Sequence, residues 1–363
     1  NERLYVLFSL LFNAMVVHGY VPTHLMDTII IPLLKDIKGD ISDKDNYRPI
    51  AITSVSSKIV ELLVLNRFNN CLSTSCNQFS FKSKHSTDMC SFILKETVDS
   101  YMYNNSHVYL SYVDSPKAFD RVNYWYLLNK LISRGLPCLI VRLFIYWYTT
   151  QSFNVKWCDT FSGSFKSCNG VRQGGILSPI YFNIFMDDLS SMLSETNVGC
   201  FIKNVCVNHL FYADDCVIMA PSPYALQQLI NVCDKYASEN EIKYNTKKTV
   251  CMAILPKCLR KLSVPTMFLN GNPLQWVDEH KYLGIFITND FSDDRDVKRQ
   301  MRAVYGRGNV LISKFRHCTE NVKIQLFFFS HSVAICTVAT YGLTTLVLYI
   351  TSLKWPTIIF SEV

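Results

Sequence analysis

Asp214 and Asp215 stand side by side in the run Leu210-Phe211-Tyr212-Ala213-Asp214-Asp215-Cys216-Val217-Ile218-Met219, which is otherwise apolar and strand-like. A bare carboxylate in such a run is costly unless a cation or water meets it. One account is a polar hairpin turn between two buried strands, since Asp tolerates turn geometry. Asp-Asp is nevertheless a weaker two-residue turn than Asn-Gly or Asp-Gly, because both positions of a type I′ turn want positive φ. The other account is a cation site. Hard divalent ions such as Mg²⁺ take carboxylate oxygens and leave positions open for substrate phosphates.

A third carboxylate follows the segment Val108-Tyr109-Leu110-Ser111-Tyr112-Val113, a β-strand by its β-branched and aromatic content, which ends at Asp114. Ser115-Pro116-Lys117 then reads as the opening of a helix, with Asp114 or Ser115 as its cap and Pro116 in the first turn. A strand-end aspartate and an Asp pair together offer what two-metal phosphoryl transfer requires: carboxylates for two ions, one at the attacking hydroxyl and one at the leaving group.

Five ordered blocks give these aspartates a family. They are Ile29-Ile30-Ile31-Pro32 with Asn46-Tyr47-Arg48-Pro49-Ile50 and Lys58; Tyr112-Val113-Asp114-Ser115-Pro116-Lys117-Ala118-Phe119-Asp120; Gly170-Val171-Arg172-Gln173-Gly174-Gly175-Ile176-Leu177-Ser178-Pro179; Tyr212-Ala213-Asp214-Asp215; and Asn245-Thr246-Lys247-Lys248-Thr249 with Lys281-Tyr282-Leu283-Gly284. In this order they resemble the reverse transcriptase domain of non-LTR (LINE-type) retrotransposons, its motifs A to E included. The resemblance implies an α+β right-hand polymerase with fingers, palm and thumb, the antiparallel palm sheet packed on helices. It divides the chain into fingers with an N-terminal extension (1–106), palm (107–290) and an incomplete thumb-like or post-palm region (291–363). It implies an RNA-directed DNA polymerase with two Mg²⁺ ions, Mn²⁺ being a possible substitute, acting on an RNA template, a DNA primer and deoxynucleoside triphosphates.

Residue by residue, the resemblance makes Asp114, Asp214 and Asp215 metal ligands and catalytic groups. Lys248 becomes a general acid toward pyrophosphate or a charge on the triphosphate. Phe119 becomes a steric gate against the ribose 2′-hydroxyl, although a Phe at this spacing also suits a helix core. Arg172, Gln173 and Gly174 belong to nucleotide or template binding, with Lys35, Arg48 and Lys58 as phosphate contacts and ordinary surface charge as the competing account. Tyr282, Leu283 and Gly284 form the primer grip, where Gly284 would allow close approach of the primer. Gln78-Phe79-Ser80-Phe81-Lys82 is similar to a further fingers motif, but Ser80 stands where that pattern usually has glycine. If positive φ is needed there, serine strains the loop and weakens template contact, a sign of decay.

The elements that must hold these groups are legible in outline. Leu4, Leu7, Phe8, Leu11, Phe12 and Met15 recur at helical spacing from a start at Asn1, which reads as the beginning of a fragment or of a processed segment. Tyr20-Val21-Pro22 ends that helix, Thr28 to Leu34 reads as a buried strand, and Asp40 to Asn46 as a polar turn. Ile59 to Phe68 predicts a helix with Ile59, Leu62, Leu63 and Leu65 on its apolar face. Lys281 to Gly284 sits in a strand-like run reaching Ile287.

Composition sets the setting. A chain of 363 residues with 49% hydrophobic content buries a large core, and a net charge of +7 favours a polyanionic partner. Arg295, Lys298, Arg299, Arg302, Arg307, Lys314, Arg316 and Lys323 concentrate that charge, suiting duplex phosphates or a solvated helix face. The 14 cysteines are irregularly spaced, without zinc-ligand pattern or signal peptide, so a reducing intracellular setting is expected, nucleus or cytoplasm. From Ile324 to Leu353 no Lys, Arg, Asp or Glu occurs, long enough for a membrane span, although its polar residues favour a buried helix pair. Three other readings stand beside the main one. They are an inactive or domesticated reverse-transcriptase-like nucleic-acid-binding protein, a group II intron or retron-type enzyme, and a membrane-anchored interaction protein.

Overall fold

The computed structural model describes residues 2–256 and 263–327. Its centre is a five-stranded sheet in the order Gln275–Trp276, Val250–Ile254, Val108–Val113, Asp215–Ala220, His209–Tyr212. The strand before Asp114 is the middle one, and all six of its residues are buried. Such a position suits a strand in which four of six residues are β-branched or aromatic, since both of its faces are covered.

Strand alternation sends side chains of this sheet into two separate cores. Tyr109, Phe211, Ile218 and Cys251 join the core under the helices Tyr124–Ser133, Cys138–Thr150, Ser178–Glu195 and Pro223–Asn240. Leu110, Tyr112, Leu210, Val217 and Met252 join the other, with Leu94 and Val98 of the helix Thr87–Tyr103 and Tyr282, Ile285 and Ile287 of a hairpin. Local chemistry fixes the helix starts. Ser222 accepts from the Ala225 amide with Pro223 in the first turn, and Ser86 accepts from Met89.

A second sheet of four strands joins Tyr47–Thr53, Thr28–Leu34, Phe153–Trp157 and Thr160–Phe161 in that order. It touches the larger body where the Ala51 amide donates to the Gln173 carbonyl (2.7 Å) and where a Cβ on Gly174 (φ +130°) would stand 2.4 Å from the Ala51 carbonyl. Only glycine fits that approach.

Several expectations need correction. Thr28–Leu34 is a strand but not a buried one, with Leu33 51% exposed, because one face of the four-stranded sheet is open. The helix Val55–Arg67 buries Ser57, Val60, Glu61 and Val64, while Leu62 and Leu63 face solvent. Glu61 can turn inward because a cation meets it. The first helix, Glu2–His18, forms as expected but buries only Met15. It is stopped by Gly19 (φ +62°), two residues before Val21-Pro22. Ser115-Pro116-Lys117 opens no α-helix: Lys117 takes a left-handed φ of +54°, a 3₁₀ turn spans Ala118–Arg121, and the helix begins at Tyr124 under an Asn123 cap. The run around Lys281 is a hairpin, Glu279–Tyr282 with Ile285–Thr288. Among the described residues no helix is long and apolar enough to cross a membrane. Most of the uncharged run ending at Leu353 lies outside the described residues.

Candidate active site

Antiparallel pairing of Val113 with Cys216, and of Tyr212 with Asp215, brings the three aspartates to one end of the central sheet. Continuing the register by one step sets Asp114 across from Asp215, and by alternation both lie on the Tyr112 and Val217 side, toward the hairpin that carries Tyr282. The register also corrects the expected turn. Its two central residues are Ala213 and Asp214, and Asp215 opens the next strand. Ala213 carries the positive φ, +57°, in the left-handed region that a non-glycine residue occupies only at a cost of about 1–3 kcal/mol.

The electrostatics follow from crowding like charges on an apolar floor. Burial, then the neighbouring Asp214 and Asp114, push the Asp215 carboxyl up to about 6. Asp214 is raised by burial and by Asp114, with its own backbone amide and Arg48 opposing. Both carboxylates keep contact with solvent. The Asp114 backbone is pinned by two bonds: its amide donates to Thr249 Oγ1 (3.1 Å), and its carbonyl accepts from the Asn245 amide (2.9 Å). One carboxylate oxygen of Asp114, Oδ2, is buried without a partner. Among the described residues no three His, Cys, Asp or Glu side chains are arranged to hold one metal ion between them. The donor set still fits divalent ions that take two carboxylates at a time and fill their remaining positions with substrate oxygens. The buried, unpartnered Oδ2 of Asp114 and the two raised acids fit that donor role.

The other expected residues divide. Arg48 is exposed and lies within electrostatic reach of Asp214. Lys35 is exposed, with Nζ donating to the Asp45 carbonyl (2.7 Å), while Asp45 also pairs with Lys117 (2.7 Å). Lys58 is half-buried on the helix Val55–Arg67, and Lys248 is exposed in the loop that pins Asp114. Phe119 stacks on Phe182 (4.5 Å between centroids) and is half-buried beside the site. Gln173 Nε2 donates to Asp120 Oδ1 (3.1 Å), and burial raises the Asp120 carboxyl against that bond and against Lys117 and Lys35. Tyr282 is buried, and Leu283 and Gly284 form the hairpin turn with φ of +45° and +89°. A Cβ on Gly284 would meet no atom of the chain within 4 Å beyond its immediate neighbours, and the positive φ of Gly284 suits the turn.

Arg172 stands apart from these. Its side chain is 2% exposed, ion-paired with Glu61 and set over the Trp147 ring at 5.0 Å, while Glu61 Oε2 also accepts from the Ile176 amide (2.6 Å). A guanidinium so enclosed ties the Gly174 loop to the helix Val55–Arg67, with its Nε and Nη1 buried and without a partner.

Ser80 overturns the sign of decay. The positive φ in that loop belongs to Phe81 (+56°), and Ser80 is fully buried, its hydroxyl 3.1 Å from Gln78 Oε1 and 3.0 Å from Asn183 Oδ1. A serine there joins a hydrogen-bond network that glycine could not make.

Residues 37–287 match the family model described as reverse transcriptase (RNA-dependent DNA polymerase). The chain belongs to the reverse transcriptase family. Among curated relatives it is 28% identical over 289 residues to the Pol polyprotein of retrotransposable element R2 from Nasonia vitripennis (76% of this chain, 27% of the relative). It is 26% identical over 336 residues to the RNA-directed DNA polymerase of mobile element jockey from Drosophila melanogaster (88% and 35%). The chain thus spans about a quarter to a third of these relatives. A solved structure of telomerase from Candida tropicalis, in complex with a fragment of telomeric RNA, superposes with a TM-score of 0.51 at 12% identity, covering 96% of this chain and 61% of that one. That likeness concerns the fold, a right-hand polymerase of mixed helices and antiparallel sheets. Membership of the family implies divalent-metal dependence in general.

Glu61 and Asn183 belong to none of the motifs, and Gln78 and Thr249 stand inside motifs with no individual role expected of them. Each acts through a partner far away in the chain, Glu61 through Arg172 and Thr249 through Asp114.

Proposed function

We propose that this reverse transcriptase body adds deoxynucleotides to the 3′-hydroxyl of a DNA primer on an RNA template. The observation that carries the proposal is the meeting of Asp114, Asp214 and Asp215 at one sheet end with an unsatisfied carboxylate oxygen among them. Asp114 and Asp214 would hold two Mg²⁺ ions, or Mn²⁺ in their place, with Asp215 supporting them; bound there, the ions would lower the hydroxyl's pKa and neutralise the triphosphate.

The chain's own residues supply the positioning. Asn245 and Thr249 fix the Asp114 backbone, and with it the point from which its carboxylate projects. Arg48 is the cation within reach of Asp214 and suits the triphosphate. Lys35 and Lys248 extend that charge at the rim. Phe119, held by its stack on Phe182, would exclude a 2′-hydroxyl, and Gln173 has both donor and acceptor for sugar and base. Tyr282, Leu283 and Gly284 would carry the primer end.

The division into fingers (1–106), palm (107–290) and thumb-like region (291–363) belongs to the same proposal, with one adjustment. The small sheet takes Phe153–Trp157 from the palm span, so the fingers are better drawn in space than as one stretch of chain. The helix Asp294–Lys314 exposes Arg295, Lys298, Arg302 and Arg307, suited to duplex phosphates.

Extension of a DNA primer on an RNA template with Mg²⁺ tests the reading, with the same template sequence in DNA for comparison. Synthesis that depends on Asp214 and proceeds on RNA supports it. Equal synthesis by the Asp214→Asn chain would sink it.

A further inference from the structure

The segment Asn77–Phe79 lies along the outer edge of the strand His209–Tyr212. The Phe211 amide donates to the Asn77 carbonyl (2.9 Å) and the Phe79 amide to the Phe211 carbonyl (2.8 Å), with Gln78 bridged to Phe211 in parallel. From that position the Gln78 side chain, 1% exposed, reaches the turn. Its Oε1 accepts from the Ala213 amide (3.4 Å) and the Ser80 amide (3.4 Å) and lies 3.1 Å from the Ser80 hydroxyl, whose one proton goes either to it or to Asn183 Oδ1 (3.0 Å). Two of these partners are amide donors, which fixes the oxygen end of the amide toward the turn. Ser80 is held in turn by Asn183, whose Nδ2 donates to the Ser80 carbonyl (2.8 Å). Asn183 sits on the helix Ser178–Glu195, directly after the Gly174 loop.

Ala213 is the residue of that turn with left-handed φ, and its N–H lies outside the hairpin ladder. The bonds from Gln78 are long, so their value is geometric. Gln78 is 1% and Ala213 7% exposed, so little solvent reaches the Ala213 amide, and Gln78 Oε1 meets it in the left-handed conformation.

We propose that Gln78 is a positioning residue for the catalytic turn, holding Ala213 in the conformation that aims Asp214 and Asp215 toward Asp114. The proposal rests on the polymerase reading for its effect on rate and on the network alone for its effect on the turn. Ser80 and Asn183 are the supports behind it, linking the nucleotide-side helix to the aspartates.

The test uses the full chain carrying Gln78→Leu, which keeps approximate volume and removes the acceptor, alone and with Ala213→Gly. Glycine takes positive φ freely. A clamp that works by holding φ therefore becomes dispensable once Ala213 is glycine. In primer extension, kcat for Gln78→Leu should fall about tenfold or more, within the range a small misplacement of a reacting group costs. KM for the nucleotide should stay within about twofold, the sign of lost transition-state interaction alone. The double variant should regain most of the rate, and Gln78→Glu, which keeps an acceptor, should retain more activity than Gln78→Leu. Hydrogen exchange of the segment 211–216 is the second readout, independent of activity: it should quicken in Gln78→Leu while the strand Val108–Val113 stays protected. An inactive parent chain with quickened local exchange sinks the polymerase reading and keeps the clamp. Unchanged exchange with unchanged rate in Gln78→Leu overturns the clamp, as does a rate loss that Ala213→Gly leaves untouched in a folded chain.

Discussion

Two places in this molecule set acidic side chains against apolar surroundings, and they solve the problem in opposite ways. Glu61 is met by Arg172, by the Ile176 amide and, through Arg172, by the Trp147 ring, so its charge is balanced inside the protein. Asp114, Asp214 and Asp215 are met chiefly by each other, with Arg48 the opposing cation at Asp214. A closed pair of charges serves shape. An open cluster of like charges, with the Asp114 backbone pinned by Thr249 and Asn245, is a donor set suited to cations.

The contrast predicts different losses. Asp214→Asn should cut primer extension by at least about a thousandfold, or ~4 kcal/mol of transition-state stabilisation. Its melting temperature should be unchanged or raised, because one of several like charges is gone. Loss of stability along with activity would place Asp214 in the same class as Glu61 and break the comparison.

Glu61→Ala should do the reverse. Leaving Arg172 buried without its partner should cost ~3 kcal/mol in denaturant unfolding, at the low end for a broken buried pair. Any loss of synthesis should follow the unfolded fraction. The double change Glu61→Leu with Arg172→Met should cost less than the single change, since no charge is then stranded. If Glu61→Ala is neutral, the pair is not the structural element described here.

Gly174→Ala sharpens the boundary between the two regions. A methyl group 2.4 Å from the Ala51 carbonyl, at a φ of +130°, should destabilise the chain by about 2 kcal/mol and loosen the small sheet from the large one. Hydrogen exchange should show Tyr47–Thr53 opening before Val108–Val113.

The smallest effect is in pH. Asp215, with its carboxyl raised to about 6, binds a proton more tightly folded than unfolded. In metal-free buffer this group stabilises the fold below about pH 4, and its contribution falls away as pH rises through the interval from the ordinary carboxylate value to about 6. Melting curves over that range should flatten in Asp215→Asn. Divalent metal should offset the decline at neutral pH, because it binds the ionised form.

Much of this was legible in the sequence, and the failures have a common cause. The aspartates, the strand before Asp114 and the Gly174 loop were found because their signals are local: a run of strand formers, a carboxylate out of place, glycines before Ser-Pro. Glu61 could not be read, since Val-Glu-Leu-Leu resembles a helix with one solvated acid and its partner lies 111 residues away. Ser80 was misread for the same reason, as its hydroxyl answers to Asn183 across a separation of 103 residues. The catalytic turn was placed one residue late, because residue preference alone favours Asp over Ala at positive φ. The pairing of Tyr212 with Asp215 puts Ala213 there instead.

The claim that the aspartates form an open site for cations is tested most directly by Mg²⁺ titration of the purified chain, followed by calorimetry and by melting temperature. The account predicts saturable binding that raises the melting temperature in the parent chain and in Glu61→Gln where that variant folds, and that is lost in Asp114→Asn and Asp214→Asn. Binding that survives in both aspartate variants, or a parent chain indifferent to Mg²⁺ and Mn²⁺ alike, would contradict it.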